Sequence, residues 1–123
     1  MIYSYDPTNI FARILRGEIP NKTVMETPHS LVFHDIRPHA PVHVLVIPKG
    51  AYVTLDHFSA EASGDEIVDF HRTVGKVCQL LGLAGLEGYR AISNAGTNGM
   101  QEVPHFHLHI LGGRMMGRLI ETE

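Results

Sequence analysis

Three histidines, His105, His107 and His109, alternate with apolar residues near the end of the chain. Because successive side chains on a β-strand point to opposite faces, this spacing predicts one row of imidazoles, spaced about 6.6 to 6.8 Å along a strand. The apolar residues between them would then face the core. Three imidazoles on one face are costly to bury without partners, so the row indicates chemistry rather than packing.

Two kinds of site could use such a row. Two histidines at positions i and i+2 of a strand can bind one zinc ion, and a third ligand would leave an open catalytic position. Alternatively, one imidazole nitrogen is a nucleophile, and the neighbouring rings orient it and handle protons. A nucleophilic imidazole must be neutral at the attacking nitrogen, so its other nitrogen needs a hydrogen-bond partner.

The loop before the histidines favours covalent catalysis without excluding zinc. Metallohydrolases often recruit carboxylates, and Glu102 is the only carboxylate in residues 93–102. The loop instead carries glycines and the amides Asn94, Asn98 and Gln101. Glycine permits close backbone approach, and exposed N–H groups together with amide side chains can hold phosphate oxygens.

The elements that position these residues follow from periodicity and turn signals. Asp6-Pro7-Thr8 is typical of a helix start, and Gly17 and Pro20 end that short helix. A capping-box spacing and one apolar stripe predict a long helix from residue 59 or 63 to residue 81, with Cys78 in the core.

Five runs are typical of β-strands, and the order of helix, strands, helix and strands predicts an α+β domain with an antiparallel sheet. The run 42–47 is almost entirely β-branched or aliphatic, which predicts a strand buried on both faces. The five runs are 23–26, 31–35, 42–47, 89–94 and 103–111.

The composition excludes several classes of protein. The 123 residues are 44% hydrophobic and 19% charged, which indicates one folded domain over residues 1–123. A net charge of −3 without a basic block excludes a nucleic-acid footprint, and no apolar run approaches the roughly 18 residues of a membrane span. With one cysteine and no signal-peptide pattern, the chain is expected in the cytoplasm.

At residues 101–110, QEVPHFHLHI, the sequence resembles the signature of the histidine triad (HIT) nucleotide hydrolases and transferases. The resemblance extends to residues 9–20, 33–36 and 41–49, and residues 111–114 resemble the Hint branch, the nucleoside phosphoramidases. It implies a HIT-like α+β fold with a five-stranded antiparallel sheet, one short N-terminal helix and one long helix. It also implies a homodimer, for which the strand edge at 89–94 is suitable.

The resemblance implies a reaction as well. His107 would attack the α-phosphorus of a purine nucleoside phosphoramidate or related nucleotide, and water would release the nucleoside monophosphate from the nucleotidyl-histidine. His105 and His109 would orient the nucleophile and contact phosphate, and His43 would support them. No cofactor is required on this interpretation. A diadenosine polyphosphate hydrolase of the same family, and a zinc-binding hydrolase or metal carrier, are the alternatives.

Substrate positions carry over from the resemblance residue by residue. Asp35 matches the acidic residue that binds the ribose hydroxyls. The apolar walls around the base would be Ile10, Phe11, Ile14, Phe33 and Ile36. The phosphate-binding loop would comprise Asn94, Gly99, Met100, Gln101, Glu102 and Val103.

Two features depart from the Hint pattern. The position of Glu102 is commonly serine there, and a carboxylate beside phosphate is repulsive unless it is protonated or turned away. The C-terminal residues 114–123 contain no tryptophan, unlike close Hint relatives. Among the other histidines, His29 and His57 are predicted at the surface, whereas His34 and His39 flank Asp35.

Overall fold

A five-stranded antiparallel sheet organises the chain, which a computed structural model describes over residues 2–120. Met1 and residues 121–123, which belong to the predicted domain and its tail, lie outside the described residues. The spatial order is β1-β2-β3-β5-β4, which confirms the α+β class. The strands are β1 (Thr23–Glu26), β2 (Ser30–His34), β3 (Val42–Pro48), β4 (Tyr89–Ile92) and β5 (Leu108–Gly112).

Three helices accompany the sheet: α1 (Ile10–Leu15), α2 (Leu55–Glu61) and α3 (Gly64–Leu80). The predicted capping box is present, because Ser63 and Glu66 each bond the other's backbone N–H at the start of α3. Of the two predicted starts of the long helix, residue 63 is confirmed, because Ser63 is the N-cap of α3. The start at residue 59 is wrong, since extended backbone at Ala62 separates α3 from α2. None of the helices within residues 2–120 combines the length and apolar content needed to cross a bilayer.

Alternation along β3 divides the core between the two faces of the sheet. Val44 and Val46 are fully buried in the larger cluster, with Phe70 of α3 and Cys78. Leu45 and its neighbour Ile47 belong to a smaller cluster on the α1 side. The strand is therefore buried on both faces, as predicted, and the residues that share a face with Leu45 are positioned toward α1.

The start of β5 differs from the prediction. We expected one strand over 103–111, but β5 begins at Leu108 and residues 103–107 are irregular. Pro104 has no N–H to donate to a ladder. The next donors bond elsewhere, since the N–H of His105 donates to the carbonyl of Val103 and that of Phe106 to the carbonyl of Tyr52. The three histidines therefore do not share one face of a regular strand.

A second correction concerns His57, which we predicted at the surface. It lies in α2 and is only 6% exposed. The ring of Tyr3 stacks on it at 4.2 Å, and its Nδ1 accepts a hydrogen bond from the N–H of Val53. The N-terminal segment therefore packs against the folded domain before α1 begins.

Candidate active site

A pocket of about 770 Å³ lies on the α1 side of the sheet, and His107 and His109 both line it. Apolar side chains form much of its wall, and a few polar groups converge on it, which is typical of a small-molecule site. The apolar residues include Ile10, Phe11, Ile14, Ile19, Phe33, Ile36, Leu45 and Val103. The polar residues include Asn21, Asp35, Arg37, Asn94, Glu102, His107 and His109.

His107 is held in a form suited to nucleophilic attack. Its Nδ1 lies 2.7 Å from the carbonyl oxygen of His105, and since a carbonyl only accepts, Nδ1 carries the hydrogen. The lone pair is therefore on Nε2. Within residues 2–120, Nε2 of His107 has no hydrogen-bond partner. Every fully buried side-chain nitrogen or oxygen in these residues has a partner. Nε2 is therefore not fully buried, and it is accessible from the pocket.

The surroundings of His107 keep it neutral. Burial lowers its pKa, and this effect exceeds the opposing influence of the His105 carbonyl and of the carboxylates of Asp35 and Glu102. The ring of Phe11 meets the imidazole edge to face at 5.0 Å. The aromatic contact fixes the plane of the ring, and the low pKa keeps Nε2 unprotonated near neutral pH.

His105 does not line the pocket. Its side chain is fully buried, with Nε2 2.8 Å from the carbonyl oxygen of Pro48 and Nδ1 2.7 Å from the hydroxyl of Tyr5. Burial lowers the pKa of His105 to about 4, so the ring is neutral. Its contact with His107 is through the backbone carbonyl.

His43 and His109 form a hydrogen-bonded pair beside the nucleophile. The backbone N–H of His39 donates to Nδ1 of His43 at 3.0 Å, so His43 carries its hydrogen on Nε2. That Nε2 lies 2.9 Å from Nδ1 of His109, which must accept. Burial, aided by the nearby rings of His107 and His43, lowers the pKa of His109 to about 4. Neutral His109 therefore carries its hydrogen on Nε2.

Asp35 follows β2 and is fixed by backbone contacts. Its N–H donates to the carbonyl of His43, and its Oδ1 accepts from the N–H of Arg37. Its Oδ2 lies 3.4 Å from Nε2 of His43. The carboxylate is therefore held in the pocket wall, next to the histidine pair.

Asp35, His43 and His109 also form a group with the chemistry of a metal site. Each offers one ligand atom, and these atoms lie within 4.8 Å of one another. Two imidazole nitrogens and a carboxylate oxygen are donors that zinc accepts. The 2.9 Å separation within the histidine pair is that of a hydrogen bond, shorter than the about 3.3 Å between ligands on tetrahedral zinc. The donors fit zinc if the two rings move apart and the shared hydrogen leaves.

Most of the predicted site residues line the pocket, but four do not. His105 and His43 lie behind the lining, and Gly99 and Gln101 shape the loop. Gln101 donates to the carbonyl of Val53 at 2.7 Å, and the carbonyl of Gly99 accepts from Asn94. The predicted residues that do line the pocket are Ile10, Phe11, Ile14, Phe33, Asp35, Ile36, Asn94, Met100, Glu102, Val103, His107 and His109.

Several residues of the site were not singled out from the sequence. Leu45 lies two residues after His43 on β3, so strand periodicity could have placed it on the same face. Arg37 is the one arginine or lysine that lines the pocket within residues 2–120, and its position beside Asp35 was the available signal. Nothing in the sequence indicated Tyr5, whose partner His105 is 100 residues away.

Comparison with known proteins relates the chain to one family. The model of the HIT domain matches residues 16–116. An uncharacterized 13.2 kDa HIT-like protein of Azospirillum brasilense is 57% identical, over 98% of both chains. The purine nucleoside phosphoramidase of Escherichia coli is 40% identical, over 90% of this chain and 92% of the relative. A 14 kDa zinc-binding protein of Zea mays is 42% identical, over 90% of this chain and 86% of the relative.

Solved structures give the same relationship. A HIT family hydrolase from Clostridium thermocellum superposes with a TM-score of 0.82 and is 37% identical. The match covers 93% of this chain and 97% of that one. All five strands, which span residues 23–112, lie within the residues that the family model matches.

Proposed function

Because this chain belongs to the HIT family, we propose that it is a hydrolase of purine nucleoside phosphoramidates that acts at the α-phosphorus. One observation carries the proposal. His107 has its hydrogen fixed on Nδ1 by the carbonyl of His105, so that an unprotonated Nε2 faces a pocket with a carboxylate and apolar walls. That is the state an imidazole needs for nucleophilic attack.

The reaction has two steps. In the first, Nε2 of His107 bonds to the α-phosphorus, the phosphorus–nitrogen bond of the substrate breaks, and the leaving amine takes up a proton. In the second, water attacks the same phosphorus, the bond to Nε2 breaks, and nucleoside monophosphate leaves with release of a proton. The N–H at Nε2 of His109 donates to a phosphate oxygen as charge develops.

The rest of the pocket supports a nucleoside. The Asp35 carboxylate is suited to accept from the ribose hydroxyls, since Oδ1 and Oδ2 are acceptors held beside the histidine pair. Phe11 and Phe33, whose rings meet at 5.5 Å, form part of an apolar wall for the base. The relative in Escherichia coli is named as a purine nucleoside phosphoramidase, which agrees with a purine in this place.

A second copy of this chain is the proposed partner. Within residues 2–120, β4 pairs with β5 alone and is the last strand of the sheet. A strand with a free edge can continue the sheet into another molecule. Sedimentation equilibrium tests this proposal, with a homodimer expected and a monomer at micromolar concentration contradicting it.

The function is tested with an AMP phosphoramidate of a small amine and the variant His107→Ala. The parent is expected to release AMP, and the variant is expected to lose about 10⁴-fold or more in kcat, because a nucleophile has no substitute. A nucleotide–histidine adduct trapped by rapid acid quench should map to His107. Equal rates for the parent and the variant would exclude His107 as the nucleophile.

The zinc-compatible group supports a second candidate, zinc binding, and the relative in Zea mays is named for that property. Asp35, His43 and His109 would hold the ion. Occupation of His109 Nδ1 would also end its hydrogen bond with His43. Zinc is therefore proposed as a competing ligand of this site, and activity in the presence of a chelator separates the two functions.

A further inference from the structure

Tyr5 connects the N-terminal segment to the catalytic histidines. It precedes α1 and lies outside residues 16–116, the part matched by the family model. Its hydroxyl lies 2.7 Å from Nδ1 of His105, and the two rings meet edge to face with centroids 5.6 Å apart. The contact joins two irregular segments that are 100 residues apart in sequence, one before α1 and one before β5.

The direction of this hydrogen bond follows from the other side of the ring. The carbonyl of Pro48 can only accept, so Nε2 of His105 carries the hydrogen. In the neutral ring Nδ1 is then an acceptor, and the Tyr5 hydroxyl donates to it. His105 is 0% exposed. Water therefore does not replace the hydroxyl, and without Tyr5 a buried acceptor is left without a donor.

The position of the His105 ring matters because its backbone is not held by the sheet. His105 lies in the irregular segment before β5, and its N–H bonds only to the nearby carbonyl of Val103. Its own carbonyl is the acceptor that fixes the hydrogen of His107 on Nδ1. The Phe106 N–H, in the same peptide unit as this carbonyl, donates to the carbonyl of Tyr52. Together with that bond, the side-chain bonds of His105 to Tyr5 and Pro48 anchor the carbonyl against which the nucleophile is aligned.

We propose that Tyr5 is a positioning residue for His107, acting through His105, and that it sets the rate of phosphoryl transfer rather than the affinity for the nucleotide. The inference rests on the proposed function. It assigns a role to the segment before α1, which supplies a hydrogen-bond donor from the opposite end of the chain. The hydroxyl touches neither the pocket lining nor the reacting nitrogen.

The test compares Tyr5→Phe, which keeps the ring and removes the hydroxyl, with Tyr3→Phe as matched control. Tyr3 lies on the same segment, but its hydroxyl donates to Asp56 at 2.6 Å, away from His107. With an AMP phosphoramidate, Tyr5→Phe is expected to lower kcat about 10- to 100-fold, because small displacements of a nucleophile are costly. KM should stay within about twofold, and Tyr3→Phe should keep the parental kcat.

A spectroscopic readout separates positioning from folding. Nitrogen-15 NMR of the histidine rings reports which nitrogen carries the hydrogen, and Tyr5→Phe should change the signals of His105 and His107. Parental kcat together with parental ring signals in Tyr5→Phe would overturn the inference, as would a loss of kcat explained by the unfolded fraction in a thermal melt. If the parent itself releases no AMP, the proposed function fails, and the ring signals still decide the role of Tyr5.

Discussion

His43 and His109 share a hydrogen bond across β3 and β5, with Nε2 of the first 2.9 Å from Nδ1 of the second. They are diagonal neighbours in the register, since His43 lies opposite Leu111 and His109 lies opposite Leu45. Burial is the main cause that lowers the pKa of both residues. Both rings are therefore neutral near pH 7, and the hydrogen bond is donated from His43 to His109, which leaves the hydrogen of His109 on Nε2.

This direction predicts that His43 and His109 act as a unit. His43→Ala removes the donor to Nδ1 of His109, so His109 no longer has its hydrogen fixed on Nε2. We expect kcat to fall about tenfold, which corresponds to about 1.4 kcal/mol, the loss of one buried hydrogen bond. Kinetics of the two single alanine variants and of the double variant form the measurement.

The double variant should be no slower than the slower single variant, because both rings are needed for the same hydrogen on Nε2 of His109. His71→Ala is the control, since His71 lies exposed on α3 and outside the pocket lining. Independent, multiplied losses would show that the two histidines contribute separately.

The buried His105 predicts that stability falls in mild acid. Its pKa is about 4 in the folded protein, against about 6.5 in an unfolded chain. The unfolded state therefore binds more protons between these values. The stability is fully present above about pH 6.5, decreases as the pH falls toward 4, and loses about 3 kcal/mol from this residue.

Urea denaturation at pH 7.5, 5.5 and 4.5 checks this dependence. The pKa values of His43, His107 and His109 are lowered as well, so these residues change stability in the same direction. His71→Gln serves as the control and should keep the parental dependence on pH. Equal free energies of unfolding at pH 7.5 and 4.5 would contradict the assignment of neutral, buried histidines.

The sequence predicted helices and strands correctly where they depend on the pattern of neighbouring residues. The alternation in β3 and the Ser63 capping box are examples, because each depends on neighbouring residues alone. Periodicity could not choose between a helix start at residue 59 and one at residue 63, because the break depends on an extended conformation at Ala62, a residue with high helix propensity.

The site was harder to predict because its geometry depends on distant contacts. The alternation of histidines placed His105, His107 and His109 on one strand, whereas the backbone leaves the ladder before Leu108. The functional consequence is that His105 contributes a carbonyl rather than a pocket-facing ring. Neither this role nor the Tyr5 contact has a local pattern, since both depend on burial created by the rest of the fold.

The group of Asp35, His43 and His109 predicts that zinc inhibits hydrolysis. Zinc bound there takes the lone pair of His109 Nδ1 and the position of the hydrogen on His43 Nε2, which disrupts the neutral pair. Micromolar zinc should lower kcat, and EDTA should restore it. The variant Asp35→Asn should weaken zinc binding, measured by calorimetry, because the amide loses the negative charge that favours a cation.

Parental activity that disappears with EDTA and returns with zinc would assign the ion a catalytic role instead. Calcium at the same concentration is the control, since it prefers oxygen ligands and should not compete for two imidazoles. The metal content of the protein as purified completes the experiment.

Glu102 predicts a preference among leaving groups. Its exposed side chain lines the pocket, and its charge is close enough to raise the pKa of His107 against the larger effect of burial. A carboxylate there repels an anionic leaving group, such as the nucleotide released from a diadenosine polyphosphate, and does not repel a neutral or cationic amine. Glu102→Gln should therefore raise kcat/KM for diadenosine polyphosphate about two- to fivefold relative to an AMP phosphoramidate.

The control is Glu87→Gln, at an exposed glutamate outside the pocket lining, which should leave the ratio of the two kcat/KM values unchanged. A ratio that Glu102→Gln does not alter would show that the carboxylate points away from the leaving group.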